Sequence, residues 1–135
     1  MEPPKKIFYL DDDLDDLYFF KEVGESLGHE VSIYINGKEL LRSLNSKSVR
    51  PDIIFLDIRM PVFNGEEILQ IIKKDDQFKD IPVVMISGYN SKSLVRQYLD
   101  AGANYLMKKP SSMADYKSSV ERVLDIDWEN FQAFA

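Results

Sequence analysis

Asp57 ends an uninterrupted apolar run, Ile53-Ile54-Phe55-Leu56, and Pro61 and Asn64-Gly65 then turn the chain. Three other apolar runs end in groups of matching chemistry. Ile7-Phe8-Tyr9-Leu10 leads to Asp11-Asp12-Asp13, Ile81-Pro82-Val83-Val84-Met85-Ile86 to Ser87-Gly88, and Tyr105-Leu106-Met107 to Lys108-Lys109-Pro110. Acid, acid, hydroxyl and base form one site if the four runs are parallel strands ending on the same edge. Open parallel α/β sheets bind ligands in the crevice outside the carboxyl ends of their strands. There Asp11, Asp12 and Asp57 would repel one another, each pair about 4 Å apart costing roughly 4 kcal/mol at an effective dielectric near 20. A hard divalent cation offsets this, and Mg²⁺ suits a site with few carboxylates that keeps several waters.

The elements that must position these residues follow from periodicity and punctuation. Four consecutive large apolar residues read as a strand buried on both faces. Lys6 to Leu10 reads as strand one, Glu30 to Ile35 as strand two, Asp52 to Leu56 as strand three, Ile81 to Ile86 as strand four and Asn104 to Met107 as strand five. A helix from Asp13 to about Leu27 carries Leu14, Leu17, Tyr18, Val23 and Leu27, with its early acids at the positive end of the dipole, and Gly28 stops it. Asn36-Gly37 opens a second helix bearing Leu40, Leu41 and Leu44. A third, from about Glu66 to Lys74, turns Ile68, Leu69, Ile71 and Ile72 inward. Ser91 caps a fourth with Leu94, Val95, Tyr98 and Leu99, and Ser111 or Ser112 caps a fifth with Met113, Tyr116, Val120, Val123 and Leu124. Strands alternating with helices imply right-handed crossovers and a doubly wound α/β sheet.

Composition narrows the function. The chain has 135 residues, enough for one domain with its own core. It has no cysteine, which excludes disulfides, thiolate zinc sites and thiol nucleophiles. A net charge of −6 argues against direct nucleic-acid binding, which needs clustered Lys and Arg. Neither a signal-peptide apolar region nor a membrane-length run is seen, so a cytoplasmic protein without membrane contact is expected. His29, the single histidine, has no second histidine or cysteine with which to build a zinc site.

The sequence resembles the receiver domain of two-component response regulators from about Lys6 to Leu124. The resemblance is carried by Asp11-Asp12, Asp57-x-x-Met60-Pro61-x-x-x-Gly65, Ser87 and Lys109-Pro110. It implies a flavodoxin-like, five-stranded parallel sheet of order 2-1-3-4-5 with five helices. It also implies that Asp57 accepts a phosphoryl group from a histidine kinase or histidine phosphotransfer protein. Mg²⁺ would be bound directly by Asp12 and Asp57, through water by Asp11, and by the backbone carbonyl of Arg59. Lys109 and Ser87 would contact the phosphoryl oxygens, with a cis peptide before Pro110 aiming the lysine. Arg59 and Tyr89 occupy positions that in the family tune phosphoryl hydrolysis. Such a protein is a phosphoacceptor with self-phosphotransfer and autodephosphorylation only, not a turnover enzyme.

The sequence departs from the family pattern at the switch residue, usually aromatic, where Leu106 stands beside Tyr105. Tyr105 could substitute only by a register shift that turns its side chain to the other face. Asp13, Asp15 and Asp16 read as helix-start acids, and Lys108 as solvated. A phosphatase of the haloacid dehalogenase type fits Asp11-Asp12-Asp13-Leu14 poorly. A calcium loop would place Asp11, Asp13, Asp15 and Glu22 as ligands, but Asp16 stands where it needs glycine. The receiver domain is read as 1–124. The tail, 125–135, carries Ile126, Trp128, Phe131 and Phe134 and should pack on the domain or on a partner, a second copy in a homodimer being one such partner. With no room for an output domain, the expectation is a stand-alone regulator acting on an unnamed protein target. Alternatives are a phosphorelay intermediate and a receiver-fold interaction module that takes no phosphate.

Overall fold

A computed structural model describes residues 3–46, 49–58, 65–88 and 91–131. Among these residues ten elements alternate: β1 Lys6–Leu10, α1 Leu14–Ser26, β2 Glu30–Tyr34, α2 Gly37–Ser46, β3 Ile53–Asp57, α3 Gly65–Lys74, β4 Val83–Ser87, α4 Lys92–Asp100, β5 Tyr105–Lys108 and α5 Met113–Leu124. All strand pairs are parallel and the sheet order is 2-1-3-4-5, as the resemblance implies. No helix among the described residues is long and apolar enough to cross a membrane.

The period of two along each strand divides the core into two layers. Phe8, Leu10, Ile54, Leu56, Val83, Met85 and Leu106 meet Leu40, Leu44, Ile68, Leu69, Ile72 and Tyr98 from α2, α3 and α4. Ile7, Tyr9, Ile53, Phe55, Val84, Ile86 and Met107 meet Leu17, Phe20, Val23, Tyr116, Val120, Val123 and Leu124 from α1 and α5. The same alternation places Asp11, Asp57 and Lys109 toward the α1 and α5 side, and Ser87 toward the other. β4 pairs with β5 through Met85 opposite Leu106 and Val84 opposite Tyr105. The register is therefore unshifted, with Leu106 on the α3 and α4 side and Tyr105 on the α5 side.

Several side chains point differently from the periodicity reading. Leu14 and Tyr18 are exposed, and the buried stripe of α1 is Leu17, Phe20, Val23 and Gly24. Phe20 takes the inward position because its ring stacks on Tyr9 at 4.2 Å and meets Phe55 at 4.9 Å. Ile71 and Met113 are likewise exposed. β4 starts at Val83, not Ile81, because Pro82 has no N–H to donate and the Ile81 N–H instead closes a turn onto Phe78 O at 3.0 Å. Asp57 is the last residue of β3 rather than the first beyond it.

The caps are built from the expected residues. Asp13 Oδ1 accepts from the N–H groups of Asp15 (2.9 Å) and Asp16 (3.2 Å), Ser91 caps α4, and Ser112 caps α5. Gly28, with φ of 91°, lies in the left-handed region just past α1. Past α5, Trp128 packs on the second core layer, and the Phe131 ring lies 5.8 Å from Tyr105 and 5.5 Å from Trp128. Phe134 is outside the described residues.

At Gly65 the start of α3 crosses the end of β3 so closely that a Cβ would stand 2.6 Å from the Asp57 carbonyl oxygen and 2.9 Å from Met85 Cε. The backbone oxygen cannot yield without moving β3. Gly65→Ala is therefore expected to cost about 1–3 kcal/mol, as overpacking does, measured as a lower urea midpoint at unchanged slope.

Candidate active site

The strand ends bring together Asp11, Asp12, Asp57, Ser87 and Lys109. Carboxylate oxygens of Asp11, Asp12 and Asp57 all lie within 4.8 Å of one another. Asp11 is fully buried, Asp57 is 7% exposed, and Asp12 faces solvent. Ser87, also buried, is joined to the lysine strand through the backbone, because the Lys109 N–H donates to Ser87 O at 2.7 Å. The peptide before Pro110 is trans, which corrects the cis expectation, and from it the lysine still reaches the acidic cluster. Arg59 and Tyr89, expected as a carbonyl ligand and as tuning residues, lie outside the described residues.

Burying like charges requires compensation. Asp11 receives it from three directions: the Tyr9 hydroxyl donates to Oδ2 at 2.5 Å, the Asp13 N–H to Oδ1 at 3.0 Å, and Lys109 Nζ stands 3.7 Å from Oδ2. Burial disfavours the Lys109 ammonium, but its hydrogen bond to Asp16 and the charges of Asp11, Asp16 and Asp57 outweigh it, so its pKa is raised. Burial, with the neighbouring Tyr116 and the acids, raises the Tyr9 pKa far above that of an ordinary phenol. Tyr116 is raised too, chiefly by burial. Among the described residues its buried hydroxyl has no hydrogen-bond partner, although Tyr9 lies near enough to influence its ionisation.

Three carboxylates with only hard oxygen donors, two of them buried, match what Mg²⁺ or a similar divalent cation takes. Asp13 is the N-cap of α1 and Asp15 lies in its first turn, so a helix runs through the positions a calcium loop would use. His29 Nδ1 accepts from the Lys5 N–H at 2.9 Å and has a structural role.

Two participants were not evident from the sequence. Tyr9 looks like one more core residue, yet it sits two positions before Asp11 on the same strand face, a spacing that could have revealed it. Asp16 is the second: Lys109 Nζ donates to its Oδ2 at 2.5 Å across 93 positions of sequence. No local signal announces that pairing.

Residues 7–121 match the family model described as the response regulator receiver domain. The polar-differentiation response regulator DivK of Brucella anthropi is 26% identical over 121 residues, 90% of this chain and 97% of that protein. The transcriptional regulatory protein PrrA of Mycobacterium leprae is 34% identical over 88% of this chain, which spans 49% of that longer protein. Among solved structures, the phosphorylated cyanobacterial phytochrome response regulator RcpA has 27% identity and a TM-score of 0.80, covering 95% of this chain and 96% of that one. The Mn²⁺-bound form of the response regulator Rcp1 has 26% identity and a TM-score of 0.78, covering 98% and 100%.

Proposed function

The chain belongs to the response regulator receiver domain family, the phosphoacceptor switches of two-component signalling, and from that premise we propose that Asp57 is its phosphoacceptor. The carrying observation is the convergence of Asp11, Asp12 and Asp57 within 4.8 Å, with Lys109 Nζ 3.7 Å from Asp11. A bound Mg²⁺, held by Asp12, Asp57 and the Arg59 carbonyl and through water by Asp11, would neutralise charge during transfer. The Asp57 carboxylate oxygen attacks phosphorus in line, the bond to the phosphohistidine nitrogen breaks, and an aspartyl phosphate forms. Lys109 pairs with one phosphoryl oxygen and the Ser87 hydroxyl donates to another.

The donor is a histidine kinase or histidine phosphotransfer protein, which places the reaction in the cytoplasm. The added charge draws on Ser87 and Lys109 and biases the surface formed by α4, β5 and α5 toward a protein target or the next step of a phosphorelay. With Leu106 on the face that Ser87 shares, this coupling runs through an aliphatic side chain. Arg59 and Tyr89 would set the phosphoryl lifetime.

Incubation with acetyl phosphate tests the reading. The wild type is expected to gain one phosphoryl mass only when Mg²⁺ is present, and Asp57→Asn to gain none. A wild type that binds Mg²⁺ but gains no mass from either acetyl phosphate or a phosphorylated kinase would instead be an interaction module that takes no phosphate.

A further inference from the structure

Lys109 is shared between two claims. Its backbone is fixed to the end of β4 by the 2.7 Å bond to Ser87 O, so the adjustable part is its side chain. The ammonium rests on Asp16 Oδ2 at 2.5 Å, while Asp11 Oδ2, at 3.7 Å, is beyond hydrogen-bond length. Asp16 is itself held in place, because its N–H is bonded to the Asp13 cap in the first turn of α1. Its backbone stays in that turn, so only side-chain rotation could carry the carboxylate after the lysine. The pair borders a cleft of about 210 Å³ lined by Phe19, Pro110, Ser111, Ser112 and Tyr116, so it is not enclosed on that side.

We propose that Asp16 is a positioning residue that competes with the phosphoryl group for Lys109. The inference rests on the reading of Asp57 as phosphoacceptor. A group that needs Lys109 is bound more weakly in proportion to the time the ammonium spends on Asp16. The Asp16 and Lys109 side chains are 38% and 19% exposed, so water screens their pairing and the competition is modest. Removing the Asp16 charge frees the ammonium and tightens phosphoryl binding.

Beryllofluoride with Mg²⁺, a phosphoryl mimic for carboxylates, measures this directly through the ¹⁹F signals of the bound fluorides. Asp16→Asn is expected to lower the apparent Kd about 1.5- to fivefold, the range that screened ion pairs span. Asp16→Glu should return it toward the wild type by restoring a carboxylate. Asp15→Asn, the same charge change on the neighbouring first-turn acid, should leave it unchanged, and thermal unfolding verifies that each variant is folded. An Asp16→Asn affinity equal to that of Asp15→Asn, or weaker than the wild type, overturns the inference while the phosphoacceptor reading stands. A wild type that gives no bound signal overturns both.

Discussion

Truncating Phe20 to alanine is expected to lower the free energy of unfolding by about 3–5 kcal/mol, the range for deleting a buried aromatic ring. Phe20 is fully buried and touches three other rings: stacked on Tyr9 at 4.2 Å, tilted against Phe55 at 4.9 Å and edge-on to Tyr116 at 6.3 Å. The loss combines hydrophobic transfer, a cavity that neighbouring strands cannot close, and aromatic pairing of about 0.5–1.5 kcal/mol per contact. It also reaches the active site, since the Tyr9 ring that Phe20 supports directs its hydroxyl to Asp11. Urea unfolding measures the cost. Tyr18→Ala, on the exposed side of the same helix, should stay within about 0.5 kcal/mol. Equal effects from the two substitutions would show that α1 is rotated relative to the packing described.

Alkaline pH should destabilise the protein steeply, by about 2.7 kcal/mol for each pH unit once two buried tyrosines are ionised in the unfolded chain, above about pH 11. The sign follows from Tyr9 and Tyr116, whose folded pKa values are raised, above all by burial. In the unfolded chain both phenols lose their protons near pH 10, whereas in the fold they keep them. The folded state then binds more protons, and stability falls by about 1.36 kcal/mol per unit for each tyrosine. Their contribution is complete below pH 10 and disappears above it. Lys109, also raised, adds to the fall once the unfolded lysine titrates. Lys73 acts in the opposite direction: burial lowers its pKa to about 8, so its protonated form is the less stable one and stability rises between about pH 8 and 10.5. Urea midpoints followed from pH 8 to about 12 should therefore pass a maximum near pH 10, and Tyr9→Phe should make the descent shallower by about 1.36 kcal/mol per pH unit. An unchanged descent in Tyr9→Phe would contradict the assignment of that proton.

The legible parts of this protein were those written in short-range pattern. Apolar runs closed by Asp, Ser or Lys announced both the strands and the edge where they end, and the cap of Ser91 followed from its place before an apolar helical stripe, while the choice of Ser112 over Ser111 for α5 came from the structure. Parallel order came from the family resemblance, because nothing in the run at Ile53 says which neighbour it pairs with. The facing of α1 was misread at Leu14 and Tyr18 because its stripe is weak. Only the tertiary stack of Phe20 on Tyr9 and Phe55 chooses the rotation. The partner of Lys109 was hidden for a related reason: three acids open α1, and which of them faces α5 depends on the helix phase. The role of Tyr9 stayed concealed because a tyrosine inside an apolar run reads as core, which it also is.

The central claim is that one carboxylate among three neighbours carries the phosphoryl group. Borohydride reduces an aspartyl phosphate to homoserine, so treating the acetyl phosphate-reacted protein and sequencing its peptides by mass spectrometry reads out the position. The account predicts homoserine at position 57 alone, dependent on Mg²⁺. Homoserine at position 11 or 12, or at no position in protein that has gained a phosphoryl mass, would contradict it.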